Sequence, residues 1–238
     1  MVAVEVKNLV KNYGKVKAVR GISFSIDKGE IFGLIGPNGA GKTTTLRIIS
    51  TLLTLTDGSI NIMGFDLEKK PEEVRKIISY LPEDAGAYKN LTGRAYLQFI
   101  GNFYDKKTIR KMVEKGVEIA DLKERINDKV DTYSKGMKRR LLVGRALMTD
   151  PNLAILDEPT SGLDVNNAQE IRNIIKNTAK KGTTILLSSH NMLEVEYLCD
   201  RIALIDEGLI VEEGEPKDLM KKYKANNIEE VFTKVVKN

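Results

Sequence analysis

The sequence predicts an α/β protein: a mostly parallel sheet with an antiparallel β subdomain and an inserted helical subdomain. Three observations carry that prediction. Ile31–Ile35 is a nearly continuous apolar run, as a strand buried on both faces requires, and it leads straight into a glycine-rich turn and a helical stretch. Between Leu153 and Ile205, strand and helix patterns alternate. From about residue 85 to 150 strand patterns vanish, and three helical patterns follow near 92–104, 106–120 and 135–149.

Taken in order, Val2, Val4 and Val6 alternate with Ala3, Glu5 and Lys7, the period of a half-buried strand. A second strand pattern covers Ile22–Ile26. A helical stretch, Thr44–Leu53, follows the glycine-rich turn. Asp57-Gly58 is a turn signal before a short strand candidate at Ile60–Met63. After the helical insertion come a strand at Leu153–Leu156, a helix over 165–181, a strand at Thr183–Leu187, a helix over 191–199 and a strand at Arg201–Ile205. Glu207-Gly208 turns a hairpin into Leu209–Glu212. In the tail, Ile228, Val231, Phe232, Val235 and Val236 form one apolar stripe of an amphipathic helix. The expected organisation is a single domain, 1–238. Segments 1–84 and 151–216 form the core with its β subdomain, 85–150 the helical subdomain, and 217–238 C-terminal helices.

Composition narrows the function classes. Lys and Arg number 38 against 33 Asp and Glu, a net charge of +5, with the signs interspersed along the chain. A nucleic-acid binder usually clusters its excess, so no nucleic-acid partner is expected. The one cysteine, Cys199, excludes an internal disulfide and a cysteine-based zinc site. No apolar run reaches the length of a bilayer span, and the first residues lack the apolar core of a secretory signal. A soluble protein of a reducing compartment is expected.

The strongest chemical signal is Gly36-Pro-Asn-Gly-Ala-Gly41-Lys42-Thr43, which fits G-x-x-x-x-G-K-[ST]. Its glycines let consecutive backbone N–H groups turn inward around phosphate oxygens, and the following helix adds its positive end. Gly36, Asn38, Gly39, Ala40, Gly41, Lys42, Thr43 and Thr44 are therefore the candidate ATP-binding set, with Lys42 on the β- and γ-phosphates and Thr43 on Mg²⁺. The second signal is Leu153-Ala-Ile-Leu156-Asp157-Glu158-Pro159: an apolar strand ending in two acids at the sheet edge where α/β proteins bind ligands. Asp157 suits the Mg²⁺ shell, and Glu158 can take a proton from water.

At this point the sequence resembles the ATP-binding subunit of ATP-binding-cassette (ABC) transporters, a P-loop NTPase fold, over nearly the whole chain. The phosphate loop and the acid-tipped strand match the family's Walker A and Walker B motifs. Ser161-Gly-Leu-Asp164 matches its D-loop. His190, the only histidine, follows Ser188-Ser189 and matches the switch histidine. Tyr13 stands at the place of the adenine-stacking aromatic, and Tyr133-Ser134-Lys135-Gly136-Met137 where the family signature belongs. That signature departs from the common Leu-Ser-Gly-Gly-Gln, keeping the serine and the second glycine. Glu83, in Ser79-Tyr-Leu-Pro-Glu83, stands where the family usually has a glutamine that contacts Mg²⁺.

The resemblance implies an ATPase coupled to transport, with Glu158, His190 and Lys42 catalytic and Thr43, Asp157 and Glu83 around Mg²⁺. It implies ATP contacts from Tyr13 and, in a second copy, from Ser134 and Gly136. It further implies membrane-spanning permease subunits as partners, an ATP-sandwich dimer, and a peripheral position on the cytoplasmic side of the cell membrane. Tyr133–Met137, the short C-terminal region and Asn227–Phe232 are most similar to drug- or sodium-type exporters of the ABC-2 kind. The alternative is a soluble ABC-type ATPase acting on ribosomes or DNA. Ribosomal relatives usually carry two cassettes, and DNA-repair relatives a long coiled coil for which the stretch from Lys42 to Asp157 leaves no room.

Overall fold

The computed structural model describes residues 1–236, with Glu194 through its backbone only. Two sheets organise them. Strands β1 (Val2–Tyr13), β2 (Val16–Asp27), β4 (Asp57–Ile62) and β5 (Phe65–Asp66) form an antiparallel sheet in the order β2-β1-β4-β5. A six-stranded sheet runs β10-β9-β3-β8-β7-β6, from β3 (Ile31–Ile35), β6 (Ile78–Leu81), β7 (Leu153–Asp157), β8 (Thr184–Ser189), β9 (Arg201–Asp206) and β10 (Leu209–Gly214). In this second sheet every pairing is parallel except β10 with β9.

The apolar runs explain the layers. Along β3, Ile31 and Ile35 join one hydrophobic cluster while Phe32 and Leu34 join another. Along β7, Ala154 and Leu156 face the first cluster and Leu153 and Ile155 the second. With both faces buried, continuous apolar runs replace alternation. The first cluster takes in helices α3 (Gly93–Gly101), α4 (Ile109–Ala120), α5 (Lys135–Leu147), α6 (Val165–Lys180) and α7 (Met192–Leu198). It also reaches α8 (Pro216–Tyr223) and α9 (Ile228–Val236), where Ile228 and Val231 are buried as the stripe requires. Residues 237 and 238 of the expected C-terminal helices lie outside the described residues. The second cluster joins the antiparallel sheet, α1 (Lys42–Ile49) and α2 (Pro71–Ile77) to the core strands.

Three local readings differ from the sequence pattern. The first hairpin is longer than its alternating segments, because β1 pairs with β2 through to Tyr13 opposite Val16. Irregular register at several points breaks the period that would have shown it. Asp57 and Gly58 open β4 rather than precede it. Gly58 has φ +99° and lies against the Lys7 and Asn8 carbonyls, a backbone approach only glycine allows. The short helix α2 runs directly into the edge strand β6, with no turn signal between them.

Candidate active site

Parallel strands deliver four loops to one edge of the sheet. The phosphate-loop segment follows β3. Glu158 follows Asp157, the last residue of β7, and His190 follows β8. Pro82 and Glu83 follow β6. A sheet whose strands share one direction therefore gathers residues distant in sequence.

The phosphate loop is built around a tight turn. Gly41 has φ +105°, and a Cβ there would lie 2.6 Å from the Ala18 carbonyl oxygen. Its carbonyl accepts from Thr45 N, which starts α1. Lys42 is buried. Its Nζ donates to the carbonyls of Gly36 at 2.7 Å and Pro37 at 3.0 Å, and lies 3.6 Å from Glu158 Oε1. Burial holds the Lys42 ammonium below the ordinary lysine range, against the opposing pull of Glu158 and Asp157. Asn38, Gly39, Gly41, Lys42, Thr43, Thr44, Glu83 and Glu158 line one cavity of about 140 Å³ above this loop.

Asp157 is fully enclosed by donors. Its Oδ1 accepts from Ser188 Oγ at 2.6 Å and Thr43 Oγ1 at 3.2 Å, and its Oδ2 from Tyr80 Oη at 3.3 Å. Burial, with Asp157 beside it, pushes the Tyr80 phenol up to about 12, so it stays a donor. Ser188 Oγ also accepts from Glu158 N at 3.0 Å, tying the two strand ends together. Glu158 itself has φ +48°, a left-handed conformation at a non-glycine residue. Its Oε2 lies 2.9 Å from His190 Nδ1. Its Oε1 is buried and accepts no hydrogen bond from the described residues.

The remaining expected residues are Glu83, at the rim of the cavity over Lys42, and three that do not line it. Glu83 is exposed and accepts from Ser161 Oγ at 3.3 Å. Ser134 caps α5, its Oγ accepting from Met137 N at 3.2 Å. Gly136 is buried beneath Asn167 of α6, so that a Cβ at 136 would fall 2.0 Å from the Asn167 Oδ1. Tyr13 is 46% exposed, with Lys11 Nζ 5.2 Å from its ring centre. Neither Ser134, Gly136 nor Tyr13 lines the cavity over Lys42. Tyr80 and Ser188, both on Asp157, carry no sequence signal of their role, because a tyrosine and a serine inside apolar strands look like ordinary strand residues.

Residues 19–161 match the family described as ABC transporter. The chain belongs to that family. Among its relatives is the linearmycin resistance ATP-binding protein LnrL of Bacillus subtilis, 40% identical over 94% of this chain and 73% of that protein. The Nod factor export ATP-binding protein I of Rhizobium meliloti is 36% identical over 97% of this chain and 70% of that protein. A solved ATP-binding subunit of an ABC transporter superposes with a TM-score of 0.84 at 28% identity, covering 98% of this chain and 99% of that one. The chain is thus an ATP-binding subunit, an ATPase that energises transport. No helix among the described residues is long and apolar enough to cross a membrane.

The donor set also fits Mg²⁺. Thr43 Oγ1 and Asp157 Oδ1 are hard oxygens 3.2 Å apart beside the phosphate cavity. No group of three or more His, Cys, Asp and Glu side chains suited to a metal exists among the described residues.

Proposed function

We propose that this chain is the ATP-hydrolysing subunit of an exporter, working as a dimer on membrane-spanning permease subunits at the cytoplasmic face of the membrane. The observation that carries the site assignment is the position of Glu158, between Lys42 and His190 at the rim of the phosphate cavity. The loop of Gly36, Asn38, Gly39, Ala40, Gly41, Lys42, Thr43 and Thr44 takes the phosphates, with the Gly36 and Ala40 amides already bonded to Ser189 O and Pro37 O. Lys42, already stripped of water, leaves its carbonyl partners for the γ-phosphate. Thr43, Asp157 and Glu83 would hold Mg²⁺, which would supply positive charge to the phosphate oxygens. Glu158 receives the proton of the attacking water, and His190 holds Oε2 and reads the γ-phosphate. Tyr13 stacks on the adenine. Ser134 and Gly136, which do not line the cavity over Lys42, serve the ATP of a second copy.

Export as the direction is supported by relatives named for drug resistance and for Nod factor export. We assign 85–150 as a helical arm on the core formed by 1–84 and 151–216. An exposed aromatic ladder on that arm suits the permease. Tyr88 and Phe99 meet edge-to-face at 5.2 Å and Phe99 and Phe103 at 5.4 Å. Tyr88 follows the Glu83 loop directly, so a partner seated there would feel that loop move.

The test is ATP turnover by the purified chain with and without Mg²⁺, followed by reconstitution with its permease in vesicles. Turnover that needs neither Lys42 nor Glu158 would sink the site assignment. Turnover without ATP-dependent substrate movement would sink the exporter assignment.

A further inference from the structure

Arg139 lies in the second turn of α5, inside the cationic run Lys138-Arg139-Arg140, which in sequence looks like a solvated helix face. The structure buries it, leaving 8% exposed. Its donors all go to backbone carbonyls of two loops. Nε donates to Pro159 O at 2.7 Å. One terminal nitrogen donates to Asp157 O at 2.9 Å and Glu158 O at 2.7 Å, and the other to Pro82 O at 3.3 Å and Glu83 O at 3.2 Å. Burial disfavours the guanidinium charge, while the carboxylates of Glu83, Asp157 and Glu158 favour it.

A planar fork of five N–H donors is what these five carbonyls require, and a lysine cannot supply it. Contacts to carbonyls set the path of a loop, and through it the aim of the side chains the loop carries. Those side chains are Asp157, Glu158 and Glu83. The Glu158 backbone needs such support, because its φ of +48° persists only where surrounding contacts over-determine it. The helix that carries Arg139 begins at Ser134, its N-cap.

We propose that Arg139 is a positioning residue that locks both acid-bearing loops to the signature helix, so that hydrolysis at a chain's own site depends on where α5 sits. This rests on the ATPase and dimer readings above. Nucleotide of the other copy, meeting Ser134 at the head of α5, would thereby be felt at Glu158. The two sites of a dimer are then coupled through one side chain, and ATP turnover is cooperative.

The experiment compares the full-length wild type with Arg139→Lys and Arg139→Gln. It reads ATP turnover against ATP concentration, equilibrium binding of a fluorescent ATP analogue, and thermal denaturation. In both variants kcat is expected to fall about tenfold or more, since small misplacement of catalytic groups is costly. Binding should stay within about twofold, and the Hill coefficient should drop to about 1. A kcat and Hill coefficient like the wild type's would overturn the proposal. So would losses of kcat and binding in equal proportion to lost folded protein, which is what a merely structural role gives. If neither variant folds at the assay temperature, Arg139→Ala with added methylguanidinium decides. A kcat that rises saturably with the cation supports the proposal; a fold regained without kcat overturns it. A wild type that binds ATP yet never turns it over would instead defeat the ATPase reading itself.

Discussion

Glu158 and His190 meet at 2.9 Å through Oε2 and Nδ1, and this contact leaves the other carboxylate oxygen of Glu158 free of any hydrogen-bond donor among the described residues. The side chain is only 6% exposed, and its nearest cation is Lys42 Nζ at 3.6 Å. That cation faces Oε1 itself, so the buried oxygen is ion-paired although no hydrogen bond reaches it. Glu158 also lines the phosphate cavity, where an attacking water would stand. The left-handed backbone at Glu158 adds strain of order 1–3 kcal/mol. That strain falls on the residue assigned as the base.

Glu158→Gln should therefore retain ATP and lose turnover, because an amide cannot take the proton of water. A fall in kcat of roughly 10²–10⁴ is expected, with nucleotide affinity little changed. Phosphate release and nucleotide retention measured on the same preparation check this. Turnover near the wild-type rate would remove Glu158 from the role of base.

The same pair of charges predicts a trade between stability and activity. Lys42 and Glu158 are both buried. Removing one partner of a buried pair costs about 3–5 kcal/mol, while replacing both with neutral groups of like volume is often neutral or stabilising. Lys42→Met alone should lower nucleotide-free stability, and Lys42→Met with Glu158→Gln should restore it or exceed it. The pH dependence has a definite sign. The Lys42 pKa is lower in the folded state than in the unfolded chain, so its burial destabilises the fold at neutral pH. That penalty fades as pH rises through the folded pKa toward the unfolded one. The advantage of the double variant should shrink toward alkaline pH, as urea denaturation at several pH values would show. An advantage that grows with pH would contradict the burial argument.

What the sequence made legible, and what it hid, follows from where each interaction lies. The phosphate loop, the acid pair and His190 all sit directly after apolar strands, so a linear pattern carries them. The edge strand β6 is only half-buried along most of its length and follows α2 without a break, so neither its period nor its boundary stands out. Arg139 is hidden for a different reason. Its partners are carbonyls of residues 82, 83 and 157–159, and carbonyls leave no mark on a sequence. Tyr80 and Ser188 are legible only once the sheet order places β6 and β8 on either side of β7.

Glu83→Gln probes the departure at the end of β6. Glu83 lines the cavity that holds Lys42 and Thr43 and accepts from Ser161 Oγ. If its carboxylate contacts Mg²⁺, the amide removes one negative charge next to the ion, and the Mg²⁺ concentration at half-maximal activity should shift several-fold. An Mg²⁺ curve superposable on the wild type's would leave Glu83 as an exposed loop acid bonded to Ser161.

The signature helix makes the last prediction. Ser134 spends its side chain on Met137 N, and the remaining first-turn N–H groups of α5 have no carbonyl of their own helix to bind. With the helix dipole, that end favours an anion. Yet Ser134 does not line the cavity over Lys42, so the chain's own phosphate loop is not where the anion would come from. A second copy can bring it. The chain without nucleotide should then be monomeric, and Mg-ATP should drive dimerisation, with specific activity rising with protein concentration. Glu158→Gln should trap the dimer with ATP and not with ADP, because the γ-phosphate supplies the bridging charge. Adding Ser134→Arg to that variant should abolish the dimer by filling the contact, while the monomer still binds ATP. Light scattering on Glu158→Gln at saturating Mg-ATP measures this directly. A particle that stays monomeric with ATP bound, and an activity independent of concentration, would show that Ser134 does not act on a neighbour's nucleotide.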